Sequence, residues 1–118
     1  MSNSEDAQFL SIEEKETITE LIRAKNYPEA LLFIKKYPDA DFSFTDESGS
    51  TILHHLVKFC NKDQENGQVL PLAQLMLERG VSHTSVNLSF KTPLDYASES
   101  SNAPLIGLFK GFPLYIDY

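Results

Sequence analysis

The chain has 118 residues and a mass of 13.3 kDa, enough for one domain with its own core and too little for two. Ten basic against seventeen acidic residues give a net charge of −7, which excludes the cationic footprint that nucleic acid or an anionic membrane surface demands. One cysteine, Cys60, cannot close an internal disulfide, no apolar run nears the roughly 20 residues of a bilayer span, and the polar opening MSNSEDAQFL is no secretory signal. A cytoplasmic protein is expected. Residues 1–20 hold six acids against Lys15, a bias that suits a basic protein partner.

Residues 1–10 read as a flexible N-terminal segment and residues 11–118 as a single domain. Ser11-Ile12-Glu13-Glu14 is a capping box, and Ile18, Leu21 and Ile22 follow it as one apolar stripe, predicting a helix over 12–25. Lys25-Asn26-Tyr27 makes a short turn. Pro28 then opens a second helix whose buried side is Ala30, Leu31, Phe33 and Ile34, ended by Tyr37-Pro38.

The pattern recurs. Asp46-Glu47-Ser48-Gly49-Ser50 is a turn by composition, Thr51 an N-cap, and Leu53, Leu56, Val57 and Cys60 a helical stripe. The polar stretch 61–68 reads as a surface loop. Beyond it Pro71 lies in the first turn of the next helix, Leu72, Leu75 and Met76 form its stripe, and Gly80 stops it. A third cycle has Asn87–Lys91 as turn, Thr92 as cap and Pro93 at the first helical position, with Leu94 and Ala97 facing inward. Pro104 restarts the chain toward Leu105, Leu108 and Phe109. Three turn-helix-turn-helix cycles in one short chain are an internal repeat.

Two segments carry a specific signature. Gly49-Ser50-Thr51-Ile52-Leu53-His54 and Thr92-Pro93-Leu94-Asp95-Tyr96-Ala97, with Leu75–Gly80 between them, resemble the ankyrin repeat. The resemblance implies an all-α, short ankyrin-like helix-turn-helix solenoid of about three units (11–43, 46–86 and 87–111) with atypical caps and an aromatic C-terminal tail, 112–118. Thr51 and Thr92 are 41 residues apart rather than 33, which places about eight extra residues at 61–68. Phe90 stands where the family has glycine, and Asp95 where it has histidine.

Candidate chemistry is sparse. His54 and His55 are adjacent, so on a helix they point about 100° apart, and with Cys60 and His83 they form no zinc clip. Cys60 continues an apolar stripe, which suits a core thiol better than a nucleophile. No phosphate loop or nucleophile elbow occurs. The reading is therefore not an enzyme, with no catalytic residue, no metal and no cofactor; a thiol enzyme using Cys60 is the remote alternative.

The expected function is protein binding. Transfer of the family's concave face implies partner contacts at Glu47, Ser48, Ser50, Ile52 and His55, then Leu88, Ser89, Lys91 and Tyr96. The expected partner is another protein, an enzyme in particular, whose surface the module would occlude as a regulator. In size, acidity and architecture the chain also resembles the small acidic inhibitors that some bacterial pathogens encode against their own ubiquitin-deamidase effectors. That resemblance adds translocation into a host cytosol as a second location. The aromatic tail is expected to dock on its own chain as a C-terminal cap; the alternative is a homo-oligomeric scaffold, with a homodimer seam or partner contact at Phe112, Leu114, Tyr115 and Ile116.

Overall fold

The computed structural model describes residues 10–61 and 63–111. Six α-helices and no strand occur among them: α1 Ile12–Arg23, α2 Tyr27–Lys36, α3 Ile52–Lys58, α4 Asn66–Glu78, α5 Pro93–Glu99 and α6 Ala103–Gly111. No helix of these is long and apolar enough to cross a membrane.

Each helix start that reads as a cap in the sequence is one. The Ser11 amide donates to Glu14 Oε1 at 2.9 Å while the Glu14 amide donates to Ser11 Oγ at 3.1 Å. Thr51 with His54, and Thr92 with Asp95, build the same box. Helix ends are equally regular. Lys25, Gly80 and Ser101 all take a left-handed backbone just past α1, α4 and α5. The amides of Asn26, Val81 and Asn102 then reach back to the carbonyls of Leu21, Met76 and Ala97, the Schellman closure that spends two orphan carbonyls per helix.

The helices pair as α1/α2, α3/α4 and α5/α6. Successive pairs stack, so that α1, α3 and α5 form one row and α2, α4 and α6 the other. Apolar faces of both rows meet in one continuous core built on Ile18, Ile22, Ile34, Leu53, Leu56, Leu72, Met76, Leu105 and Phe109. Phe42, from the segment between α2 and α3, is completely buried among them.

Several boundaries differ from the sequence reading. α4 starts at Asn66, so residues 66–68 of the expected loop are helical and Pro71 lies inside the helix, not in its first turn. The carbonyl that Pro71 cannot satisfy belongs to Gly67, only one residue into the helix, where a missing bond costs least. The loop is also anchored: Glu65 pairs with Lys25 Nζ at 3.3 Å and accepts from the Tyr27 hydroxyl at 3.2 Å. Leu10, expected in the loose N-terminal segment, is buried. The aromatic tail and its candidate seam residues Phe112, Leu114, Tyr115 and Ile116 lie outside the described residues.

Candidate binding groove

Two five-residue turns, Asp46–Ser50 and Asn87–Lys91, project from the helical rows with one hydrogen-bond pattern. Asp46 N–H donates to the Ser50 carbonyl at 3.0 Å, and Asn87 N–H to the Lys91 carbonyl at 3.0 Å. Gly49 N–H closes on the Asp46 carbonyl, and Phe90 N–H on that of Asn87. Inside each turn the first side chain does the same work. Asp46 Oδ1 accepts from the amides of Ser48 and Ser50, and Asn87 Oδ1 from those of Ser89 and Lys91.

The turns lock onto each other. Leu88 N–H donates to the Ser48 carbonyl at 2.8 Å, and Asn87 Nδ2 to Ser50 Oγ at 3.0 Å. His54 closes the contact from below. Its Nδ1 accepts from the Thr51 amide at 2.9 Å, which leaves the proton on Nε2 to reach the Lys91 carbonyl at 3.1 Å. Burial lowers the His54 pKa, though the Lys91 carbonyl opposes it, so the ring stays neutral and keeps both bonds.

Between these turns and α1 runs an open groove of about 880 Å³. One wall is the outer stripe of α1 (Ile12, Lys15, Glu16, Thr19, Glu20 and Arg23), residues three or four apart and so on one face. The floor comes from α3 and α5, with His55, Lys58, Phe59 and Tyr96. His55 Nε2 contacts Asp46 Oδ2 at 2.7 Å while its ring stacks on Phe59 at 6.3 Å. Burial pushes the Asp46 carboxyl up, but hydrogen bonds from Ser48, His55 and Ser50 outweigh it and hold it down at about 2.

Six of the nine expected contact residues line this groove: Glu47, Ser48, Ser50, His55, Ser89 and Tyr96. Ser50 is buried and acts mainly through the turn-to-turn bond. Ile52 is not on the face at all. At 1% exposure it packs in the core with Leu53 and Leu56. Leu88 and Lys91 do not line the groove. Leu88 is 73% exposed with its side chain next to Gly49 of the first turn, Phe90 is 85% exposed, and Lys91 pairs with Glu99. Lys15, Phe44, Lys58 and Phe59 line the groove and were not among the expected contacts. The outward stripe of α1 is the sequence signal that points to Lys15.

Cys60 and His83, the other two candidate ligands, do not line the groove. The Cys60 thiol donates to Asn66 Oδ1 at 3.3 Å; burial raises its pKa, and Glu65 adds to the rise, the reverse of activation. Beneath it Asn66 and Asn102 exchange two amide bonds, 2.9 and 3.0 Å. His83 is buried against Phe109, ring centroids 5.3 Å apart, far in role from the cap of His54. Among the described residues no group of three or more His, Cys, Asp or Glu could hold a metal ion. No protein-family model matches the chain, and no curated protein matches it.

Proposed function

We propose that this chain is a non-catalytic, ankyrin-like binding module that takes a partner protein into the groove and regulates it by covering part of its surface. The observation that carries this is the groove itself. Two mutually bonded turns and the outer stripe of α1 hold polar, charged and half-exposed aromatic side chains around one open concavity. Such a surface is pre-organised, so little ordering is left for association to cost. The two helical rows and the recurring turns support the ankyrin-like reading. The raised Cys60 thiol supports a role without covalent chemistry. An enzyme is the expected partner, and the resemblance to acidic deamidase inhibitors makes a ubiquitin deamidase the first one to assay.

The test is capture with wild-type protein beside a variant changed at Glu47, His55 and Tyr96, each checked for native helicity. One protein retained near stoichiometrically by wild type and lost by the variant supports the reading, and inhibition of its activity completes it. Equal retention by both overturns the assignment of the groove. A second reading, the homo-oligomeric scaffold, draws on the exposed Val86, Leu88 and Phe90 outside the groove. It requires a mass that rises with concentration and falls on Leu88→Ser.

A further inference from the structure

We propose that the groove selects a cationic side chain of its partner, an arginine or lysine, and seats it between the rings of Phe59 and Tyr96. The inference rests on the reading of the groove as the partner-binding face. It starts from Lys58. The Nζ of this residue lies 5.6 Å from the Phe59 centroid and 5.7 Å from that of Tyr96. None of the ion pairs among the described residues includes it. In a chain of net charge −7, a lysine with no carboxylate partner among the described residues rests on two aromatic faces. The protein's own cation therefore fills a cation site.

The site is built without help from a ligand. His55 stacks on Phe59 with 6° between the ring planes, and His54 meets Tyr96 edge-on at 6.2 Å. Asn87 Nδ2 donates to the Tyr96 hydroxyl at 3.1 Å, which fixes the second ring from its far end. The groove that holds the two rings is lined by the carboxylates of Glu16, Glu20, Glu47 and Asp46, the last bonded to His55, and by three cations, Lys15, Arg23 and Lys58. Displacing the Lys58 ammonium sharpens that imbalance in favour of an incoming cation. Lys58 is the last residue of α3 and exposed, so its flexible stem can turn to solvent and vacate the rings. A guanidinium, planar and weakly hydrated, gains more from two ring faces than the ammonium it replaces.

The opposite assignment makes Lys58 itself the contact, reaching for an acidic partner. One substitution separates the two, because Lys58→Ala removes a competitor in the first case and the binding group in the second. The probes are tetra-arginine and tetra-glutamate peptides, titrated into the full chain at about 0.15 M salt, where exposed charges are largely screened. Amide and aromatic-ring NMR shifts report the site.

Tetra-arginine is expected to shift the rings of Phe59 and Tyr96, to bind K58A about fivefold more tightly, and to lose that site in Phe59→Ala. Phe59 is 40% exposed at the end of α3, so its truncation leaves the core intact; Tyr96→Leu is the second check. Binding of tetra-glutamate in place of tetra-arginine overturns the proposal. So does weaker tetra-arginine binding by K58A, or shifts spread over the acidic surface and indifferent to Phe59→Ala. A partner captured through the groove without any response to tetra-arginine removes the cation site and leaves the binding module standing. Tetra-arginine binding without a captured partner does the reverse.

Discussion

Gly49 and Phe90 stand at the same place in two copies of one turn, and both hold a left-handed backbone, φ +75° and +62°. For Gly49 the conformation is free and the space is used. A Cβ there would meet the Leu88 amide nitrogen at 3.3 Å and the Leu88 Cγ at 3.4 Å. Phe90 pays the steric cost of that backbone with a side chain 85% exposed, so no packing within the described chain repays it.

Phe90→Gly is expected to stabilise the chain by about 1 kcal/mol through relief of that backbone. Gly49→Ala should cost about 1–2 kcal/mol, since it adds strain where the second turn already touches. Urea denaturation of the pair measures both. A destabilised Phe90→Gly would show that the ring packs on something after all.

His54→Ala leaves the Thr51 hydroxyl capping the residue-54 amide but removes the ring acceptor of the Thr51 amide and the bond to the Lys91 carbonyl together. The expected loss is about 2–3 kcal/mol, two hydrogen bonds of which the one to the Thr51 amide is buried. Hydrogen exchange adds a local signature. The Leu88 amide, bonded to Ser48, should lose protection more than the amides of α4.

Acid should weaken the fold well above the carboxylate range. Burial lowers the pKa of both His54 and His83 from the ordinary 6.5, so both rings are neutral in the folded chain. The unfolded chain takes up protons near 6.5 and the folded chain does not. Stability is thus complete above that value and falls as pH drops below it, by up to about 1.4 kcal/mol per pH unit for each ring. Denaturation midpoints at pH 7.5 and 5.5 check this, and His83→Phe should remove part of the difference. An unchanged midpoint would mean that neither ring is shielded.

The Cys60 thiol should react with a neutral disulfide reagent at least about tenfold more slowly in the folded chain than in urea, because burial keeps it protonated and bonded to Asn66. Equal rates would revive a reactive cysteine.

Local signals were the legible part of the fold. Ser11, Thr51 and Thr92 announce their helices because a cap needs only a side-chain oxygen and an amide three residues on. Gly80 marks its stop for a similar reason, while Lys25 and Ser101 do the same job without a glycine to betray it. Pro71 misled because the composition of 61–68 looks like loop, yet Glu65 bonds to Lys25 and Tyr27 and the chain turns helical just after it. The groove was half legible. Turn residues such as Glu47 and Ser89 follow from the repeat, but Phe59 and Lys58 are set by how α3 packs beneath the turns. Ile52 shows the limit: its place in the motif suggests the face, and the core takes it instead.

The amide exchange between Asn66 and Asn102 carries a consequence for descent. Each side chain gives the other one donor and one acceptor, across 36 positions of sequence. Replacing either alone by leucine strands the amide of its mate, fully buried in Asn102 and half-buried in Asn66. The two positions are therefore expected to change together: a related chain should keep both asparagines or exchange both, and a lineage that alters one would have to pass through a destabilised ancestor to alter the second.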